Sequence, residues 1–87
     1  MEEHKRIAER ERGNLAKNII DSPIWDESWQ QFEDSLIGGW RMTRTGEAER
    51  REMIYAQIRA AEFARKHIEE IFRTGKLAEM QLDEERS

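Results

Sequence analysis

The segment I-W-D-E-S-W-Q-Q-F-E-D-S-L-I-G-G-W, Ile24 to Trp40, carries the most regular apolar pattern in the chain. Five large apolar residues recur in it at spacings of 4, 3, 4 and 4: Trp25, Trp29, Phe32, Leu36 and Trp40. On a helix with about 100° per residue, this spacing keeps all five within a stripe of about 80°. Aromatic residues at helical spacing usually belong to a core, so we interpret the stripe as a packing face. An aromatic platform for a ligand is the alternative.

Signals on both sides of this segment give the helix its bounds. Ser22 can cap the free amides, and Pro23 fits the first helical position, where its missing N–H costs nothing. The Gly38-Gly39 pair indicates a kink or a close approach of another backbone. A turn follows at Thr43 to Gly46, and either Thr43 or Thr45 is expected to cap the next helix.

The composition predicts helix throughout the chain. Its 87 residues include one Pro, five Gly and no Val, and no alternating apolar pattern typical of a strand occurs. We therefore predict an all-α single domain over residues 1–87. It has an antiparallel helical hairpin (about 23–43 and 46–73), an N-terminal helix (about 2–20) and a short C-terminal helix (about 76–86).

The long helix of the hairpin contains a basic residue within its apolar stripe and is followed by a Gly-Lys pair. We expect Arg65 to extend its stem along the stripe or to pair with Glu33 or Asp34, with anion binding as the alternative. The Gly75-Lys76 pair lacks the glycine spacing and the preceding strand of a nucleotide-binding loop. We interpret Gly75 as the left-handed residue that ends the long helix.

A second apolar face lies roughly opposite the main stripe of the long helix. Ala56, Ala60, Phe63 and His67 follow one another at spacings of 4, 3 and 4, with Tyr55 to one side. A lone hairpin cannot cover both faces. Either the N-terminal helix packs on this face, or another copy of the protein does, because alanines allow close approach and Phe63 would otherwise lie in water.

Four arginines gather around the turn and the start of the long helix: Arg41, Arg44, Arg50 and Arg51. Guanidinium groups beside a helix N-terminus can bind a phosphate or a nucleotide, which makes this cluster a candidate anion site. Nearby glutamates, Glu47, Glu49 and Glu52, favour the alternative of a solvated turn with salt bridges.

Composition and motifs argue against several classes of function. The chain has no cysteine, which excludes disulfides, thiolate metal sites and a cysteine nucleophile. Its net charge is −4, and no helix has a one-sided basic face, so we expect no direct nucleic-acid binding. No apolar run suits a membrane span. His67 and Glu70 alone do not make a metal site, and no nucleophile with a base is evident. We expect a non-enzymatic protein without cofactor or metal.

Several landmarks together resemble a known group of proteins. They are D-S-P-I at Asp21, G-W-R-M-T ending at Thr43, E-A-E-R-R-E starting at Glu47, and T-G-K-L-A-E-M-Q-L at Thr74 to Leu82. The chain from about residue 16 to residue 86 resembles short all-helical proteins of tailed bacteriophages and prophages, which are often encoded near head and packaging genes. The resemblance implies an all-helical build and a phage setting, and it carries over no catalytic residues.

These expectations lead to two hypotheses from different classes. The first is an accessory protein of virion assembly or DNA packaging that forms a homo-oligomer and docks on a phage head or packaging protein. The alternative is a counter-defence protein, either a sponge for cyclic nucleotides or an inhibitor of a host enzyme. The expected location is the host bacterial cytoplasm or the virion.

Overall fold

The structure of the protein is a computed structural model that describes residues 2–86. These residues form three α-helices and no strand, so the predicted all-α class is confirmed. The helices are α1 (Glu2–Ile20), α2 (Pro23–Arg41) and α3 (Ala48–Arg86). The start of α2 at Pro23 and the bounds of α1 agree with the sequence predictions.

The prediction that Gly75 ends the long helix is wrong, and so is the separate helix over 76–86. Helix α3 has 39 residues and continues through Gly75 to Arg86. No glycine in the described range has a positive φ, so Gly75 does not adopt the left-handed conformation of a helix terminator. The reason for a glycine at this position lies in its packing against α1.

The described chain divides into two compact units. One unit contains residues 2–22 and 66–86, which are α1 and the second half of α3. The other contains Pro23–Arg65, which are α2 and the first half of α3. The single domain expected over 1–87 stays a prediction.

The first unit is built on a contact between two helix backbones. A Cβ atom placed on Gly13 would lie 2.7 Å from the Gly75 Cα, and one on Gly75 would lie 2.6 Å from the Gly13 Cα. Both distances are too short for real atoms, so glycine at these two positions lets α1 and α3 touch directly. Ala16, Ala78 and Leu82 are buried in the same unit.

An ion pair links α1 and α3 where α1 begins and α3 ends. Arg6 of α1 forms ion pairs with Glu85 of α3 and with Glu2 of its own helix. The pair between Arg6 and Glu85 joins the start of α1 to the end of α3. The two helices therefore run in opposite directions within this unit.

The second unit has a smaller core. Ile54 is its one buried hydrophobic residue among those described. Trp25 and Trp29 contact each other edge to face, with ring centroids 5.4 Å apart. None of the five residues of the α2 stripe is fully buried, and Phe32 and Trp40 are each 48% exposed. Three residues of the stripe, Trp29, Phe32 and Leu36, line a half-open groove together with Ile58 and Ala61 of α3. The stripe is therefore only partly buried, in contrast to the core that was predicted.

One contact near the start of α2 corrects the prediction for Arg65. Its guanidinium group pairs with Asp26 at 2.9 Å, on the helix that was expected but not with Glu33 or Asp34. Near the other end of α2, a Cβ on Gly39 would lie 3.8 Å from Ile54 Cδ1, an ordinary packing distance. Gly39 is thus close to α3, whereas Gly38 faces open space.

The two kinds of helical glycine should respond oppositely to alanine. We expect Gly75→Ala to lower the free energy of unfolding by about 1–2 kcal/mol, because overpacking outweighs the gain of about 1 kcal/mol in helix propensity. Gly38→Ala is the matched control and should raise it by about 0.5–1 kcal/mol, since its Cβ meets nothing within 4 Å. Urea denaturation followed by circular dichroism measures both. A stabilising Gly75→Ala would contradict the backbone contact.

Candidate functional site

The turn between α2 and α3 is closed by Glu47 rather than by a threonine. The Glu47 amide donates to the Arg44 carbonyl at 2.9 Å, and the Arg44 amide donates to Glu47 Oε1 at 2.9 Å. The Thr43 hydroxyl instead donates to the Trp40 carbonyl in the last turn of α2, at 2.7 Å. The expected cap by Thr43 or Thr45 is therefore replaced by a reciprocal pair of bonds between Arg44 and Glu47.

The same bonds control the charge of the Glu47 side chain. The hydrogen bond from the Arg44 amide lowers the pKa of Glu47 below its ordinary value of 4.5. The Arg50 guanidinium, whose Nη1 lies 3.4 Å from Glu47 Oε2, acts in the same direction. Both groups stabilise the carboxylate, so the turn is built around an ionised Glu47.

The guanidinium group of Arg51 donates three hydrogen bonds to residues of the turn. Its Nη1 donates to the Arg44 carbonyl at 2.6 Å and to the Thr43 hydroxyl at 3.3 Å, and its Nη2 donates to the Thr45 carbonyl at 3.2 Å. A guanidinium has five donors in a fixed fork, and here three of its bonds connect α3 to the turn. Arg51 therefore has a structural role in this loop.

The structure places the four arginines of the candidate anion site in different environments. Arg51 is occupied by the turn, and Arg50 pairs with Glu47. Arg41 and Arg44 are exposed at the end of α2 and in the turn. An open depression is lined by Trp40, Arg41, Thr43, Thr45 and Arg51. The contacts favour the salt-bridged turn over an anion site, because two of the four guanidinium groups already bind groups of their own chain.

The second apolar face is uncovered in the structure. Phe63 is 78% exposed, and Ala56, Ala60 and His67 are also exposed. Tyr55 is 60% exposed, and it also borders an opening formed with Ile37, Trp40 and Ile58. Ala56, Ala60 and Phe63 lie in the unit that does not contain α1, and no element of their own unit covers them. Packing of the N-terminal helix on this face stays a prediction.

Sequence reasoning missed one member of this face. Met53 is 66% exposed and precedes Ala56 by three residues. With it, the spacings become 3, 4, 3 and 4 over Met53, Ala56, Ala60, Phe63 and His67, which is the a–d alternation of a helix that packs against another helix. The signal was available, since the heptad spacing is visible in the sequence once Tyr55 is left aside. We call Met53, Ala56, Ala60 and Phe63 the α3 seam.

A groove between α2 and the first half of α3 adds to the exposed apolar surface of the second unit. Apolar residues form most of its wall: Trp29, Phe32, Leu36, Ile58 and Ala61. Charged residues line the rest of it: Glu33, Glu62 and Arg65. The groove therefore has a mainly apolar wall and a charged rim.

Several kinds of site are not found among the described residues. No group of three side chains within residues 2–86 is arranged to hold a metal ion, and His67 with Glu70 borders an opening shared with Glu9 and Arg12. None of the three described helices is sufficiently long and apolar to cross a membrane. No protein-family model, curated protein or solved structure matches the chain.

Removing the Arg51 side chain should loosen the turn. We expect Arg51→Ala to lower the free energy of unfolding by about 1–2 kcal/mol, because the variant leaves the Arg44 and Thr45 carbonyls without their charged donor. Arg41→Ala is the control and should change stability by less than about 0.5 kcal/mol, as most surface substitutions do. Thermal and urea denaturation compare the two variants. Equal effects would show that the bonds made by Arg51 contribute nothing specific.

The lowered pKa of Glu47 predicts a pH dependence of stability. The carboxylate stabilises the folded state above its unfolded-state value of 4.5, and this contribution is lost as the pH falls through the lower folded-state pKa. The stability difference between the wild type and Glu47→Gln should therefore shrink between about pH 6 and about pH 3. Urea denaturation across this range measures it. A difference that stays constant would contradict the bond between Arg44 and the ionised Glu47.

Proposed function

We propose that this chain is a non-enzymatic accessory protein that works through helix-mediated self-association and docking on a larger protein. Its working part is a helical hairpin formed by α2 and the first half of α3. The setting is the assembly or DNA packaging of a tailed phage, with a phage head or packaging protein as partner. The protein then acts in the host bacterial cytoplasm or in the virion.

The observation that carries this proposal is the apolar surface left uncovered on the second unit. Phe63 is 78% exposed and Met53 is 66% exposed, although both side chains are large and apolar. Exposed apolar side chains that lie close together on a surface mark a site of interaction with another protein.

The exposed side chains are of the kind that interfaces bury. Large apolar residues remain at least 60% exposed on the first half of α3: Met53, Tyr55 and Phe63. Aromatic residues and methionine are enriched at protein interfaces, and exposed apolar patches of this kind mark interaction surfaces. The phage setting has a different support, namely the resemblance of the T-G-K-L-A-E-M-Q-L segment and the preceding landmarks.

The counter-defence alternative has less support from the turn. A sponge for cyclic nucleotides would use the guanidinium groups of this turn, and two of the four already bind groups of their own chain. Arg51 donates to the carbonyls of Arg44 and Thr45, and Arg50 pairs with Glu47. Virion accessory and docking protein is therefore the function that the exposed surface supports best.

Capture of the partner tests the docking role. A tagged chain expressed from its native locus should recover a portal, capsid or terminase protein after cross-linking. Phe32→Glu should reduce this recovery about tenfold, because it adds a charge to the apolar groove. Met42→Glu is the matched control, since Met42 is 80% exposed and lies in the turn outside the groove. Recovery of no head or packaging protein, or equal recovery with both variants, would contradict docking through this surface.

A further inference from the structure

We propose that the α3 seam binds the same seam of a second copy, with the two helices antiparallel around a two-fold axis. This inference rests on the self-association in the proposed function and adds its partner, surface and register. The seam is exposed, the order of its residues is self-complementary, and charged residues flank it. The groove between α2 and α3 is not part of this interface.

The order of the seam residues is self-complementary. In an antiparallel pair centred between Ala56 and Ala60, Ala56 of one copy meets Ala60 of the other. Met53 then meets Phe63 of the second copy at each end. Large residues thus flank a centre of small ones, where the two helices can approach closely. A thioether beside an aromatic ring is a favourable contact, and it occurs twice in this dimer.

The charges on the flanks of the seam agree with the same register. Glu52 and Lys66 lie on one flank of α3, at equivalent heptad positions, and face each other across the antiparallel pair. Each dimer therefore gains two Glu52–Lys66 ion pairs between copies. Within one chain these side chains are 14 positions apart in α3, which is about four helical turns, so they cannot pair there. Neither makes an ion pair within the described residues.

This register also places one pair of like charges, two arginines, opposite each other. Arg59 of each copy lies near the two-fold axis, opposite Arg59 of the other. Its Nη1 is held at 2.8 Å from Glu62 of its own chain, which neutralises part of this repulsion.

A two-fold interface of this kind closes on itself. The same surface is used by both copies, so the assembly stops at a dimer and does not extend into a filament. The groove of each copy then remains open on the dimer. A homodimer with two identical grooves is the form that we expect to dock on a larger protein.

Cysteine cross-linking tests the register, because the native chain has no cysteine. We make Met53→Cys and Phe63→Cys as separate variants, check their helix content by circular dichroism, and oxidise each alone and mixed. In the proposed pair, equivalent residues of the two copies lie about 15 Å apart along the axis, whereas Met53 and Phe63 are opposite each other. We expect disulfide dimers in the mixture and none with either variant alone.

The other outcomes separate the register from the proposed function. Disulfide dimers with each variant alone would indicate a parallel pair and would overturn the inference. No disulfide in any sample, with a native mass of twice 10.4 kDa, would also overturn it while leaving self-association intact. A wild-type chain that is monomeric at micromolar concentration would overturn both the inference and the self-association in the proposed function. The capture experiment on docking is independent of all three.

A charge exchange gives a second measurement without touching the seam. Glu52→Lys alone and Lys66→Glu alone should each weaken the dimer about threefold or more, because each sets like charges opposite one another twice. The double variant should restore the wild-type dissociation constant, measured by sedimentation equilibrium. Phe63→Glu should weaken the dimer about tenfold or more, and Met42→Glu should leave it unchanged. A double variant as weak as the single variants would contradict the antiparallel register.

Discussion

Each half of α3 has one helix to pack against, and a pair of helices can bury only one stripe of each. Helix α1 packs on the second half and α2 on the first half, and each has 19 residues. Within each unit, no further described element is available to cover the opposite side of α3. Positions 53 and 63 are exposed because of this limit, and they would be exposed with any other residue type. A chain that places an aromatic ring and a thioether on such a side has apolar surface suited to a partner.

The two halves of α3 pack differently against their neighbouring helices. Around Gly75 the packing is tight, because neither helix has a side chain at the point where they touch. Around Ile58 the packing is looser, with half-buried aromatic rings and a groove. The looser half also carries the exposed α3 seam and the charged flanks. The surface most suited to partners thus belongs to the unit with the smaller core.

Sequence reasoning predicted the features that depend on local signals. The start of α2 lies at Pro23, as predicted, and the periodic apolar residues identified the face of α3 that is now seen exposed. It failed at Gly75, because a glycine that ends a helix and one that allows close packing look the same locally. Gly13, far away in the sequence, makes the difference. It also failed to foresee the role of Arg51, since a guanidinium suits carbonyl oxygens as well as a phosphate, and only the turn geometry brings three acceptors to it.

The contact between Gly13 and Gly75 also bears on how related chains can vary. Because the missing Cβ of each glycine provides the room for the other backbone, neither position can accept a larger residue unless the axes of α1 and α3 move apart. Homologues should therefore keep small residues at both positions or alter them together. The T-G-K-L-A segment would then be a signature of an inter-helix crossing, and a small residue in the middle of α1 would be its distant counterpart.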